Sequence, residues 1–523
     1  MKTLLISVSD SDIQNIENLG IERIYAYLKS KNKEVDMIYI NRINDIQNEF
    51  NKMTLDYDIY AFSVYHTNFA FVYELSVMIK SICDNKYIVL GSKFVTTYFE
   101  DILHHKMDDG TPCFDCLVLG DGEYTMLEII NCVEQGNSLN EYAEYNPHIV
   151  TSETGVNKKP LSININELPL PERHFLKITN HIVAYICDSH GCIGKCSFCT
   201  YSTYHSKWTG RTAECLFNEV KTVYENTNAR LFMFSGSSFE DPGILGKARI
   251  NDFCDLIIES KLRVCFRCFL RADTFNEEKK DVDLLIKMKK AGFNHIFVGI
   301  ESANDDELRR YNKTAKLTDN YRIMKLLDSV GIFSGGYGFI MFNPYSTFES
   351  IQNNYCFIAE NQPFQLSQFI SKLIVYKGTK IHEIIKKDNL LKGIGEKTLN
   401  LVEEYKFQNN DVEILYEWVK SKFNTQKMHI VMQNADNVSS TINCFSHFVG
   451  TENVMLELTN ILSHYEIILK EYFFHLYINN DIEYCEKLYD EFSKDIFENN
   501  KKLEILKNKF FRLMMKNNIF CHD

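Results

Sequence analysis

The stretch GCIGKCSFC, residues 191–199, sets Cys192, Cys196 and Cys199 in a C-x3-C-x2-C spacing, with Phe198 directly before the last thiol. Thiolates are soft donors that suit iron–sulfur clusters. A cubane has four irons and this run supplies three thiolates, so one iron is left open to a ligand that is not protein. A zinc ion would instead need a fourth ligand, which His190 or His205 could offer. AYICDS, immediately upstream, reads as a strand, and a helix is expected downstream. A soft-ligand loop between strand and helix sits where βα barrels carry their catalytic groups.

Outward from this loop the pattern is βα. LFMFSGS, RVCFRCFL, IFVGIE, GGYGFIMF and SKLIVYK are strand candidates, and TAECLFNEVKTVYE, DVDLLIKMKKA and YRIMKLLDSVG are amphipathic helices between them. Residues 181–385 thus predict a full or partial barrel. Residues 1–150 also alternate: TLLISVS, VDMIYI, IYAFSVY, YIVLGS and CLVLGD as strands, NLGIERIYAYLKSKN and YELSVMIKSIC as helices. This predicts a doubly wound parallel sheet with its ligand crevice at the strand carboxyl ends, near Ser63, Gly91 and Gly120. Residues 151–180, with Pro160, Pro169 and Pro171, read as a linker. Residues 386–523 read as helical.

The 523 residues exceed one core, and 45% hydrophobic with 24% charged content is ordinary for a soluble globular protein. A net charge of −13 argues against a general nucleic-acid surface. No apolar run approaches a membrane span, and MKTLLISVSDSD reads as a buried strand, not a signal peptide. Sixteen cysteines without a secretion signal indicate a reducing, cytoplasmic setting. Isolated ones such as Cys254, Cys356 and Cys187 are expected in the core. Cys113/Cys116 and Cys265/Cys268 have chelate spacing, but residues three apart on a strand face opposite ways. The aromatics of HYEIILKEYFFHLY are expected to pack a core, and Cys521-His522-Asp523 to fray.

Residues 181–385 resemble the radical S-adenosylmethionine (SAM) enzymes. Cys192, Cys196 and Cys199 fall at that family's cluster motif, with Phe198 as its aromatic. The resemblance implies a 4Fe–4S cluster whose open iron is chelated by SAM, reductive cleavage of SAM, and a 5′-deoxyadenosyl radical that abstracts a substrate hydrogen. It implies a reducing partner such as a flavodoxin or ferredoxin. FSGSSFED, 234–241, resembles the loop that meets the SAM amino group, so Ser235, Gly236 and Ser237 are expected near it. FLRADTF resembles the next strand end, with Arg271 and Asp273 meeting carboxylate and ribose. GFNHIFVGIESANDDEL ends its strand on Glu301, and a glutamate there needs partners that a polar ligand supplies.

The amino-terminal region resembles the cobalamin-binding domain that precedes many radical SAM domains. Ser63, Gly91, Ser92, Gly120, Gly122 and Glu123 fall at its motif positions. The Asp-x-His-x-x-Gly loop of base-off cobalamin proteins is absent: SDSDIQNIENLG, 9–20, has no histidine. Cobalamin would then be held by shape and backbone contacts.

The expected architecture is α/β: a Rossmann-like cobalamin-binding-type domain (1–150), a linker, a partial (β/α)6 TIM-type radical SAM core (181–385) and a helical region (386–523). The expected function is radical modification of an unactivated carbon in a small-molecule or peptide substrate, with cobalamin-dependent C-methylation the foremost reaction. The alternatives are rearrangement, cyclisation, crosslinking or epimerisation with a degenerate cobalamin domain, and a non-enzymatic ligand sensor with a structural cluster.

Overall fold

KTLLISV, the first strand, buries Leu4, Leu5, Ile6 and Val8 to 1% exposure or less, so both of its faces are covered and it must lie inside a sheet. In the computed structural model it does. The described residues are 1–9, 17–41, 45–83, 85–154, 158–204, 207–361, 364–392, 402–446, 448 and 450–516. The loop at 10–16, His205 and the terminal Cys521-His522-Asp523 lie outside them. Two units are resolved: Met1–His181 with Ser189–Gly191 and Tyr201–Arg211, and Ile182–Asp188 with Cys192–Thr200 and Thr212–Asp523.

The first unit holds β1 (Lys2–Val8), β2 (Glu34–Ile40), β3 (Ile59–Ser63), β4 (Tyr87–Gly91), β5 (Cys116–Val118) and β6 (Ile149–Val150) in the order β2-β1-β3-β4-β5-β6. All pairings are parallel except β5 with β6. The winding reverses between β1 and β3, which opens a crevice at their carboxyl ends. Asn18 fixes the turn out of β1: its Oδ1 accepts from the Ile21 N–H at 3.4 Å, and its Nδ2 donates to Ser7 Oγ at 3.1 Å. One core joins Leu5, Leu28, Val35, Ile59, Val89 and Met126. Residues 158–181 pack within this unit: Leu161 bonds Leu119 O and Asp121 N, and Ile163 and Ile165 are buried.

The second unit holds β7 (Val183–Ile186), β8 (Leu231–Phe234), β9 (Cys265–Arg271), β10 (Phe293–Glu301) and β11 (Gly338–Phe339), all parallel and in sequential order. A sixth strand position is marked by the isolated parallel bridge Phe342–Lys372. Exposure alternates along the wall. Cys268, Leu270, Ile296, Val298 and Ile300 face the outer helices and are buried. Tyr185, Met233, Arg267, Phe269, Arg271, Phe297 and Glu301 face inward and keep partial access. The wall is thus packed tightly on its outer side and less tightly on its inner side. Outside it, Phe234, Phe239, Phe253, Phe266 and Phe293 interlock under the Ile244–Ser260 helix. Cys356 is a correction: it is exposed, because the Phe348–Glu360 helix buries Tyr355, Phe357 and Ile358 and turns position 356 outward.

The carboxyl-terminal residues form the helices Asn410–Phe423, Gln426–Cys444, Glu452–Tyr477 and Ile482–Lys516. The second closes the amino end of the barrel strands through a core of Ala435, Val438, Ile442 and Cys444 with Leu231 and Cys265. Tyr465, Tyr472, Phe473 and Tyr477 on the third are buried, as the aromatic spacing predicts. None of the described helices is long and apolar enough to cross a membrane.

Glu466 on that third helix is 8% exposed, and burial pushes its carboxyl up to about 7. A carboxyl raised in the native state binds its proton more tightly there than in the unfolded chain. Its contribution is therefore present in acid and is lost as pH rises from its unfolded value through about 7. Glu466→Gln keeps an acceptor for the Phe364 N–H and should raise stability above pH 7 by on the order of 1 kcal/mol. Urea midpoints across that pH range check this: the variant's should be the flatter profile.

Candidate active site

The cysteine loop leaves the end of β7 and is pinned from behind. The Ser197 N–H donates to Tyr311 O at 2.8 Å and its hydroxyl to Arg310 O at 2.9 Å. Asn312 Nδ2 donates to Lys195 O at 2.7 Å, and the Ile193 N–H donates to Asp241 Oδ2 at 3.0 Å. Phe198 meets the buried Tyr311 ring edge-on at 5.5 Å. These ties hold Cys192, Cys196 and Cys199 half-exposed. Gly194 lies between two of the thiols: a Cβ there would be 3.3 Å from Cys192 Sγ and 4.0 Å from Cys196 Sγ. Its N–H points at Cys192 Sγ at 3.3 Å, the kind of backbone-to-sulfur contact that tunes iron–sulfur sites. Burial pushes Cys192 up to about 12 and Cys196 upward, while Arg271 and Lys313 act in the opposite sense. Three half-open soft donors with an N–H on sulfur and two cations nearby fit a cluster of net negative charge.

Beside the loop, the segment after β8 turns polar. The Ser235 N–H donates to Ile186 O, and the Gly236 N–H donates to Asp188 Oδ1 at 2.7 Å. Ser237 Oγ is buried and has no hydrogen-bond partner. Glu240, fully buried, accepts from the Arg271 N–H and from Ser238 Oγ through Oε1 and leaves Oε2 unpartnered. Burial pushes the Glu240 carboxyl up and Arg271 pulls it back. The Arg271 guanidinium is bound by Asp241, with Asp273 Oδ1 at 3.4 Å. Its charge is therefore already matched by protein carboxylates. Glu301, at φ 70°, ends β10 in the left-handed region, and its Oε1 is 3.6 Å from Lys313 Nζ. Gly299 makes room for that pair, since a Cβ would stand 2.9 Å from Glu301 Oε1. The polar atoms left unpartnered suit a ligand that carries its own donors, as SAM does.

The first unit has its own site. A cavity opens at the carboxyl ends of its strands. Ser63, Gly91, Ser92, Gly120, Gly122 and Glu123, the six positions expected from the sequence, all line it. Leu5, Ile21, Ala61, Val89, Val118 and Met126 give it an apolar body, which suits a large flat or aromatic ligand. Of its polar rim the sequence marked Glu123 but not Arg23, Asp121 or Tyr204. Arg23 Nη2 pairs with the buried Glu123 at 2.7 Å, and Arg23 Nη1 lies 3.1 Å from His190 Nε2. His190 Nδ1 faces Asp121 Oδ2 at 3.3 Å, and Tyr204 donates to Gly120 O at 3.1 Å. Burial would raise the Asp121 carboxyl, but His190, Arg23 and the Ile163 N–H outweigh it and hold it below the usual range. The histidine weighed as a zinc ligand is thus engaged by Asp121 and Arg23.

Gly120 is required by conformation. It sits at φ +87°, and a Cβ would stand 2.2 Å from Leu161 O. Gly120→Ala should cost about 2 kcal/mol or more, read as a lowered urea midpoint with an unchanged slope. Gly136, at φ +72° with nothing near its Cβ, is the control and should lose less.

Cys265 packs against Leu231 and Cys444 in the core, whereas Cys268 faces the outer helices, and burial pushes both thiols well up. Cys113 and Cys116 are buried. Among the described residues, no three His, Cys, Asp or Glu side chains gather as a single-ion site.

Residues 186–357 match the model of the radical SAM superfamily. An uncharacterized methyltransferase of Pyrococcus horikoshii is 25% identical over 325 residues, 61% of this chain and 67% of that protein. An anaerobic magnesium-protoporphyrin IX monomethyl ester cyclase of Synechocystis is 25% identical over 50% of this chain and 51% of its own length. Thus the chain spans about half of that relative. Among solved structures, the cobalamin-dependent SAM radical enzyme OxsB, with aqua-cobalamin and SAM bound, superposes over 99% of this chain and 81% of its own. The TM-score is 0.74 at 17% identity. The radical SAM methyltransferase TsrM of Kitasatospora setae covers 76% of this chain and 79% of its own, with a TM-score of 0.57 at 14% identity.

Proposed function

We propose, for a chain whose residues 186–357 belong to the radical SAM superfamily, that it is an enzyme catalysing cobalamin-dependent C-methylation of an unactivated carbon in a small-molecule or peptide substrate. The observation that carries the cobalamin part is the cavity of the first unit, lined by all six expected residues. When bound, a 4Fe–4S cluster with SAM supplies reductive carbon–sulfur cleavage and hence radical chemistry, and a corrinoid supplies methyl transfer.

The chain's own residues hold, orient and shield. Cys192, Cys196 and Cys199 would ligate three irons, with the Gly194 N–H on the first thiolate. Ser237 and Glu240 offer the unpartnered oxygens to SAM, and the Glu301–Lys313 pair presents a second charged group inside the barrel wall. Arg271, neutralised by Asp241 and Asp273, props the loop rather than waiting for a carboxylate. In the first unit, Gly91, Gly120 and Gly122 would border a flat ligand, and the apolar body excludes water. The electron comes from a small reducing partner such as a flavodoxin or ferredoxin.

A second reading, ring closure or rearrangement without methyl transfer, is favoured by the cyclase named among the relatives and by the missing histidine loop. Anaerobic reconstitution with and without methylcobalamin separates the two. Corrinoid-dependent S-adenosylhomocysteine, formed together with 5′-deoxyadenosine, supports methylation. Full 5′-deoxyadenosine formation without corrinoid, and no S-adenosylhomocysteine, would move the assignment to the second reading.

A further inference from the structure

The amino end of the barrel lumen carries polar groups that the cluster loop does not use. Arg267 on β9 and His295 on β10 are register partners, and both belong to the inward face. The Gln426–Cys444 helix closes that end and brings Asp436 and, one turn later, Ser440. His295 is buried and neutral: burial holds its ring well below the usual value. With Nε2 3.1 Å from Gly335 O, its proton sits there and Nδ1 accepts from Ser440 Oγ at 2.6 Å. Ser440 Oγ in turn accepts from Arg267 Nη1 at 3.3 Å. That chain satisfies His295 and Ser440 and leaves three buried atoms without a hydrogen-bond partner: Arg267 Nε, Asp436 Oδ1 and Tyr465 Oη.

A buried donor or acceptor left unmade costs about 1–3 kcal/mol, and more when charged. Asp436 links the three electrostatically: Arg267 acts on it, and it acts on Tyr465, on which the Leu366 backbone also acts. Arg267 and Asp436 carry opposite charges, yet no hydrogen bond joins them. Burial pushes the Asp436 carboxyl up to about 7, as expected of a carboxylate short of a countercharge. The wall above them is apolar and keeps partial access: Tyr185, Met233, Phe269 and Phe297. Four residues along β9 lead from Arg267 to Arg271, roughly 13 Å of strand. At Arg271 the wall reaches the cysteine loop, where a Cβ on Gly194 would be 3.9 Å from Arg271 Cδ.

We propose that Arg267, Asp436 and Tyr465 form an anchor for the zwitterionic end of an elongated α-amino acid substrate, with its carboxylate on Arg267 and its ammonium between Asp436 and Tyr465. The apolar stem lies along Phe269 and Phe297, and the far end is the one presented to the radical site. Only this last step rests on the proposed function. An electrically balanced pair of binding charges, unjoined to each other, matches a zwitterion better than a simple anion, which would leave Asp436 unanswered, or a simple amine, which would leave Arg267 unanswered.

The test is equilibrium dialysis of the cluster-reconstituted full chain against the long L-amino acids lysine, arginine, methionine, phenylalanine, tyrosine and tryptophan. Each is compared with its carboxamide and its decarboxylated amine. At least one amino acid should bind, its amide and amine roughly tenfold or more weaker. Asp436→Asn and Arg267→Gln should each lose roughly tenfold or more, with iron content unchanged, and the milder Tyr465→Phe should lose less. No binding by any of the six, or binding equal in wild type and variants, overturns the anchor. Variants that only gain stability mark the cluster as structural and overturn it as well. SAM cleavage is read separately, so a failure of the radical assignment leaves the dialysis result standing.

Discussion

Cys196→Ala should leave the anaerobically reconstituted protein without its iron and sulfide, and 5′-deoxyadenosine formation should fall to background. Cys196 is one of only three soft donors in the loop, and two thiolates cannot hold a cubane. It is also the thiol on which Glu301, Lys313, Arg271 and Cys199 all act, so no neighbouring cysteine stands in the same surroundings. The fold should survive. The thiol is half-exposed, and the loop is held by Ser197, Ile193 and Asn312 rather than by sulfur, so the cost in stability should stay under about 1 kcal/mol. Cys187→Ala is the control. Cys187 is buried one residue past β7, close in sequence to the loop but outside its spacing, and its loss should leave iron content and SAM cleavage in place. If Cys196→Ala kept its iron while Cys187→Ala lost it, the ligand set would have been misassigned.

The strands were legible because each wears its burial openly. KTLLISV, IYAFS and YIVLG carry apolar residues on both faces, which is what a central parallel strand requires, and the last two end in Ser and Gly. The cavity's glycines were legible for a related reason: Gly91 ends β4, and Gly120 and Gly122 lie where β5 turns into the next helix. What stayed hidden depends on partners far away in sequence. Arg23 and Glu123 are 100 positions apart, and nothing around IERIY marks its arginine as the half of a buried pair. Asp241 lies inside FSGSSFED, yet its hold on Arg271 needs β8 and β9 laid side by side, so nothing in the sequence pairs the two. Lys313 sits in a turn twelve residues after Glu301 and returns to it only because Gly299 leaves the space. Cys356 was misplaced because an apolar neighbourhood in sequence says nothing about which face of a helix a residue takes. The 151–180 segment reads as polar and proline-rich, and its two buried isoleucines, Ile163 and Ile165, are too few to outvote that composition.

Arg23→Met should strongly destabilise the first unit. Glu123 is 3% exposed and its ion pair with Arg23 is 2.7 Å, so the methionine strands a buried carboxylate. Breaking such a pair from one side costs about 3–5 kcal/mol, whereas replacing both partners is often nearly neutral. Burial already pushes the Glu123 carboxyl up, and Arg23 is the first group pulling it back. Without Arg23 the carboxyl rises further. The sign follows from proton binding: a carboxyl raised in the native state stabilises in acid and loses that contribution as pH climbs through its folded value. The deficit of Arg23→Met should therefore be small near pH 4.5, where the carboxyl can take its proton, and approach its full size by pH 7. Arg23→Met with Glu123→Gln should recover most of the loss and flatten the pH dependence, although the contact of Arg23 with His190 is not restored. Urea unfolding of the wild type, both single variants and the double variant at those two pH values decides it. A deficit that is the same at both, or a double variant no better than Arg23→Met, would show that the arginine acts by packing alone. The same cycle bears on the cavity, because Arg23 and Glu123 both line it. Should the double variant fold like the wild type yet fail to retain a corrinoid, the pair's charge would be part of ligand recognition as well as of the fold.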